Sequence, residues 1–467
     1  MRIAQDMRSA LATFEKASAL THIKFPVSTE FETAAVLWIL GEGKTAVFDS
    51  VIGHEGSVVG NVLNNRAKLA LACGIPVEEL QQYALNAYHA PHSPVQVQDA
   101  PCQEIVATAD FDLGEMFPIP RISEFDDGRY ITAGLILTKD PERGRTNVAI
   151  ARMQLKGPNR LGCFLAPTDT YRYLAMHRER GTKAEVAVAI GNHPVLLAAS
   201  QMPPPDDELE FAGGLFGSGV EMASCVSVDL QVPAHAEIVL EGVIDPQVGE
   251  PEGPFGEFGG HYNASESSPV IEVEAVTTRR DPIFQMIVGG THPEHSVTGV
   301  VAREIRLLEA LRQTGLNPAA VTFPVGGTGR FQAIVALRNA GPGDGVAAIL
   351  TAFNFSIMLR QVIVVDDDVD VFQRDQVDWA FASRMDPSRD LLVVEGSKAH
   401  PRDPAVLHGT VSMVGFDATR GQGSDTAAER RIPDVPESVR NRVLRRLSPD
   451  AIPKRSHIQE LTKLSET

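Results

Sequence analysis

Between residues 29 and 105 the apolar positions switch between two spacings. Glu30 to Leu40 and Asn64 to Cys73 space them as a helix does, while Ala46 to Val51 is a short apolar run that fits a strand. That alternation predicts an α/β layer. From about 106 to 290 short strand-like runs dominate: Thr132 to Leu137, Asn147 to Leu155, Glu185 to Ile190 and Ile271 to Thr277, with turn residues between them. A twisted antiparallel sheet or open barrel fits, with a helix inserted around Tyr171 to Glu179. Ser296 to Gly315 places Val301, Ile305, Leu308 and Leu311 on one helical stripe and Arg303, Arg306 and Arg312 off it, predicting a linker helix. Beyond it, strands at Gln332 to Arg338 and Gln361 to Val365 and helices at Gly345 to Leu359 and Asp375 to Ser383 predict a second α/β domain. Glu437 to Leu464 reads as a charged helical tail expected to pack on a partner subunit.

Composition narrows the class. A chain of 467 residues, 43% hydrophobic and 22% charged, is ordinary globular material with room for two or three cores. A net charge of −18 offers no footprint for nucleic acid or an anionic membrane, so an anionic substrate would need local positive charge in its site. Cys73, Cys102, Cys163 and Cys225 form no CxxC pair and read as buried free thiols, which places the expected location in the cytoplasm. Met1 to Glu15 lacks the apolar centre of a signal peptide. The longest uncharged run, Gly345 to Leu359, falls short of the ~20 apolar residues that span a bilayer and is read as a buried helix.

The candidate chemistry centres on Pro251-Glu252-Gly253-Pro254-Phe255-Gly256-Glu257, which fixes two carboxylates around one aromatic residue. Two neighbouring acids allow one to stay protonated while the other is charged; a surface turn is the plainer reading. Arg152 lies inside an otherwise strand-like run. It needs a Glu or Asp partner if buried, or reaches water if the strand is at an edge. Asn147 and Arg152 are five residues apart and point to opposite faces of a regular strand, so only a bulge or bend brings both to one site. Gly326-Gly327-Thr328-Gly329 is followed by strand-like alternation and reads as a turn, not a phosphate loop. Asp366, Asp367, Asp368 and Asp370 suit Mg²⁺ or a solvated strand end. His292 and His295 lie in a loop that either lines a cleft or merely connects.

Taken in order, Thr146-Asn147 with Arg152, Met202-Pro203 with Pro205, Glu208, Glu252-Gly253-Pro254-Phe255-Gly256-Glu257, Val364 to Asp368, Trp379-Ala380 and Arg384-Met385-Asp386-Pro387 resemble the UbiD family of decarboxylases. The resemblance runs from about Glu30 to Arg389. It implies an α/β (α+β) fold: a cofactor-binding region over 1–295, with an α/β layer to 105 and a split β-barrel from 106. A linker helix at 296–316, a C-terminal α/β oligomerisation domain at 317–436 and a helical tail at 437–467 complete it.

The implied activity is reversible, non-oxidative decarboxylation of an aromatic or heteroaromatic acid through a covalent prenylated-FMN adduct; an acrylic, cinnamic-type acid is the alternative. Arg152, Glu252 and Glu257 would form the catalytic network, with Glu257 as proton donor. Asn147 and Glu208 match two ligands of a Mn²⁺ or Mg²⁺ ion on the cofactor phosphate, often accompanied by K⁺, and Thr170 stands where some members have a histidine ligand. Ile150, Ser200, Gln201 and Met202 fall in cofactor-contacting segments, and Arg360 where many relatives have a basic residue. His292 and His295, if they reach the cleft, suit a ring with a hydrogen-bonding atom. A flavin prenyltransferase would supply the cofactor, and a homodimer or higher homo-oligomer is expected. Two other classes stay open: a metal-dependent hydrolase built on Glu208, Glu252 and Glu257, and a scaffold that kept the fold without the chemistry.

Overall fold

Branched and small apolar residues alternating with period two drive the middle of the chain into a closed ring of six antiparallel strands. Around the ring the order is Ile238–Ile244, Ala184–Ile190, Tyr130–Lys139, Thr146–Gly157, Arg160–Phe164 and Val270–Thr278, and the last pairs with the first. The computed structural model describes residues 3–165, 168–203, 205–419 and 435–446. Of the twisted antiparallel sheet and the open barrel expected from the sequence, a barrel forms, but it is closed by the pairing of Ile238–Ile244 with Val270–Thr278. Both faces of its strands are buried. Ile136, Val186, Val188, Ile190 and Leu240 pack into one core, while Leu135, Leu137, Ala187, Ala189 and Val239 join a second core with the surrounding helices.

The N-terminal layer is a four-stranded sheet of Leu20–Ile23, Thr45–Phe48, Ser57–Gly60 and Ile283–Gln285. Its last strand returns from beyond the barrel and runs parallel to Ser57–Gly60, so the layer and the barrel are tied together. Helix Arg66–Cys73 is fixed at both ends by local chemistry. The Asn65 side chain accepts from Lys68 N, and Gly74 takes the left-handed conformation that ends the helix.

The predicted linker helix is two helices. Pro293–Val297 is capped by His292, Gly299 interrupts, and Val300–Gln313 follows with Val301, Ile305, Leu308 and Leu311 buried as the stripe predicts. Beyond it a five-stranded sheet has the order Pro318–Thr322, Gln332–Leu337, Gln361–Asp366, Thr410–Asp417, Leu391–Lys398. Val362 and Val364 face the main core, and Ile363 and Val365 face a smaller one under Arg374–Arg384. Gly326 and Gly327 lie in a short 3-10 turn between two antiparallel strands. Asp366 and Asp368 meet Arg384, at 3.4 and 2.9 Å.

Residues up to Thr419 form one packed unit, which holds everything described so far. Helix Glu437–Leu444 belongs to a second unit. Residues 447–464 of the tail expected over 437–464 lie outside the described residues. Among the described residues no helix is long and apolar enough to cross a membrane.

Candidate active site

Arg152 sits on the Thr146–Gly157 barrel strand with a side chain only 8% exposed, and a guanidinium that deep requires partners. It has two carboxylates. Nε and Nη2 donate to the two oxygens of Glu252 at 2.9 and 2.8 Å, a bidentate fork, and Nη1 donates to Glu257 Oε1 at 2.6 Å. Nη2 also reaches the carbonyl of Asn263 at 3.2 Å. The rings of Phe164 and Phe255 lie 4.2 and 5.0 Å from the guanidinium carbon, which keeps water from its faces.

The two glutamates come from the segment that looked like a surface turn. Residues Glu250–Gly256 form a strand paired with Tyr262–Ser268, with register shifts on either side of Glu252. Gly253 supplies the positive φ of 86° that this irregular strand needs. Glu257 opens the tight turn that follows: its N–H donates to His261 O at 2.8 Å, and its carbonyl accepts from Gly260 N. Gly/Pro content therefore marked an irregular strand and its turn, with both acids facing inward.

Asn147 and Arg152 border one cavity of about 400 Å³. The neighbouring strand is irregular opposite Arg152. Ile131 pairs with Met153 and Gly134 with Ala151, so two residues of Tyr130–Lys139 stand opposite Arg152 alone. The cavity also meets Thr170, Glu208, Ile150, Ser200, Gln201 and Met202. Asn147 Nδ2 donates to Thr170 Oγ1 at 2.8 Å. Ser200 spends its hydroxyl on Leu197 O at 2.8 Å. Glu208 is the first residue of helix Glu208–Phe216, behind the capping Asp207, and is 5% exposed. Its Oε2 has no hydrogen-bond partner, and burial lifts its carboxyl to about 8 against the opposing pull of its own backbone N–H and Arg145. Among the described residues no three His, Cys, Asp or Glu side chains cluster as metal ligands.

The two histidines part company. His295 borders the cavity, hydrogen-bonds Gly290 O at 3.1 Å and packs its edge on Phe258; desolvation and then Arg330 hold its imidazole down to about 3. His292 is fully buried away from the cavity lining. One ring nitrogen accepts from Glu294 N and the other meets Leu37 O, both at 3.2 Å, so it caps a helix. A substrate contact for His292, one option at the sequence level, does not fit this position. Arg360 pairs with Asp403 at 3.3 Å and is not among the cavity-lining residues. Sequence reasoning missed Arg303, Arg330 and Arg402, which all border the cavity. For Arg303 a signal existed: it stood off the apolar stripe of its helix, and such a position faces either water or a site.

Comparison with known proteins gives the lineage. The chain matches the family profiles described as the 3-octaprenyl-4-hydroxybenzoate carboxy-lyase N-terminal domain over 11–85, Rift-related domain over 93–292 and C-terminal domain over 296–418. It is 33% identical over 396 residues to the anhydromevalonate phosphate decarboxylase of Methanothermobacter thermautotrophicus, covering 84% of this chain and 92% of that one. The UbiD-class enzyme HmfF of Pelotomaculum thermopropionicum, solved with FMN, superposes with a TM-score of 0.88 at 34% identity, covering 92% of this chain and 97% of the other. An evolved dimeric form of HmfF, solved with prenylated FMN, gives 0.86 at 33%, with 96% and 99% covered. The apo 3,4-dihydroxybenzoic acid decarboxylase of Klebsiella pneumoniae gives 0.84 at 26%, with 93% and 97% covered. The mixed α/β fold with its closed six-stranded barrel is the one these structures share, and the chain belongs to the UbiD family of carboxy-lyases.

Proposed function

We propose that the protein catalyses the reversible, non-oxidative decarboxylation of an aromatic or heteroaromatic carboxylic acid with prenylated FMN as cofactor. The observation that carries this reading is the buried Glu252–Arg152–Glu257 array on the wall of a cavity that Asn147, Thr170 and Glu208 also border. Loss of CO₂ from an sp² carbon leaves an electron pair with no place in the ring. Prenylated FMN, when bound, supplies the covalent electron sink for that pair.

The protein's own residues do the rest. Glu252 grips Arg152 with both oxygens, so the guanidinium cannot swing, and Arg152 in turn fixes the carboxyl of Glu257. Glu257 delivers the proton to the carbon that CO₂ leaves and removes it in the carboxylation direction. Phe164 and Phe255 keep the array dry, which strengthens its electrostatics. The unpartnered, buried Oε2 of Glu208 fits a cation, and with Asn147 and the Thr170 hydroxyl it makes a hard oxygen set suited to Mn²⁺ or Mg²⁺. Ile150, Ser200, Gln201 and Met202 would flank the flavin. Residues 317–436 would carry the contacts of a homo-oligomer.

The test is co-expression with a flavin prenyltransferase, followed by absorbance and mass spectra of the released ligand. Near-stoichiometric prenylated FMN, and CO₂ release from an aromatic acid by the loaded protein, support the reading. Hydrolytic activity with metal and no bound flavin would overturn it.

A further inference from the structure

The cavity holds more positive charge than the proposed chemistry uses. Four guanidiniums border it, those of Arg152, Arg303, Arg330 and Arg402. The carboxylates that meet them are two: Glu252 and Glu257 on Arg152, and Glu257 again on Arg402 at 3.7 Å. Arg303 and Arg330 have none of their own among the described residues. Arg303 donates to Gly329 O at 3.2 Å, and Arg330 to His295 O and Thr328 O at 3.2 and 3.3 Å. A guanidinium carries five N–H donors, so most of theirs are left for a guest.

Their placement is built. Arg330 stacks 4.4 Å from the centre of the Phe258 ring, which Arg402 also approaches at 5.5 Å. Arg303 folds back over Gly299, its Nη atoms 2.7 and 2.9 Å from where a β-carbon of residue 299 would stand. A side chain at residue 299 would displace that guanidinium and also crowd Gln201 Cβ, 2.9 Å away. Desolvation lowers the pKa of both groups, Arg303 to about 10; repulsion from Arg402 adds to it for both and from Arg303 for Arg330, against which only Glu257 pulls Arg330 back up.

We infer that Arg303 and Arg330 form a second anion subsite, and that the acid decarboxylated here carries, besides the carboxylate that leaves, a further carboxylate or phosphate. The inference rests on the decarboxylase reading for the leaving carboxylate. An anion there would satisfy the free donors of both groups and relieve their repulsion, and it would anchor the far end of the substrate while Arg152 and Glu257 work on the near end.

The test is equilibrium binding to protein loaded with prenylated FMN, with benzoate, benzene-1,3- and 1,4-dicarboxylate and 4-carboxyphenyl phosphate as probes. At least one dianion should bind on the order of 10–100 times tighter than benzoate, the scale of one or two charge-assisted hydrogen bonds. In R303Q and R330Q, checked for an unchanged circular dichroism spectrum, the affinities for dianion and benzoate should converge. Preference for a dicarboxylate or for the phosphate identifies which second group the subsite takes. Equal affinity for all four probes in the wild type overturns the inference. So does a wild-type preference that survives both substitutions while flavin content collapses, since the arginines would then serve the cofactor phosphate. A preference that follows the arginines, with no CO₂ released from any acid, keeps the subsite and sinks decarboxylation instead.

Discussion

At the scale of single residues the site divides into groups that hold and groups that move a proton. Glu257 is the proposed proton carrier, and E257Q keeps an oxygen for Arg152 while removing the transferable proton. We expect CO₂ release to fall roughly 10²–10⁴-fold with flavin content unchanged, read by gas release against absorbance. Glu208 is proposed to hold metal, so E208Q should lower bound Mn²⁺, measured by plasma mass spectrometry after dialysis, by about an order of magnitude or more. Arg152's need for a carboxylate was legible from its place in an apolar strand. Its partners were legible only through the family pattern, because they lie 100 and 105 residues away. Arg330 left no trace beyond its place after a Gly-rich turn, and no local pattern tells a turn arginine that bends into a cavity from one that points to solvent.

Elements were read best where periodicity was strong and worst where Gly and Pro broke it. Four of the six barrel strands were read to within a few residues, while Arg160–Phe164 and Ile238–Ile244 were not read, and ring closure depends on pairing between Ile238–Ile244 and Val270–Thr278, which no local pattern encodes. Glu250–Gly256 looked like a loop because its glycines and proline serve an irregular strand. Gly253 is the hinge of that irregularity: at φ 86° a β-carbon would also stand 2.7 Å from Asn263 O. G253A should cost about 1–3 kcal/mol of stability and misplace both glutamates, so the midpoint of thermal unfolding and the rate should fall together. The helix at 296 to 315 was one element by its stripe and two in fact. Gly299 breaks it and gives the Arg303 guanidinium its place.

Over the whole molecule, buried neutral histidines set the response to acid. His193 and His292 are 1% and 0% exposed, and burial lowers them to about 3 and about 4 from 6.5. The unfolded chain therefore binds more protons below pH 6.5, and stability present above that pH is lost as pH falls toward 4. At about 1.4 kcal/mol per unit for each, the two cost on the order of 3 kcal/mol between pH 6.5 and 5. The urea midpoint should drop over that range, and H292N, which keeps a capping oxygen, should flatten the fall. The edge strand Leu391–Lys398 exposes Leu391 and Val393, 41% and 51% accessible, where an open strand edge invites a second copy. If the proposed oligomer closes on this edge, V393E should shift the mass seen by light scattering toward the monomer.

Ring closure also sets a timetable during synthesis. A chain leaving the ribosome exposes Arg152 long before Glu252 and Glu257 exist, and its ring stays open until Val270–Thr278 has emerged. For that interval the arginine is an ordinary solvated charge on an unfinished sheet. The Arg152 array is thus assembled by the same late stitch that seals the barrel, and a nascent chain stalled before residue 250 holds most of the cavity wall and neither of the carboxylates that Arg152 grips.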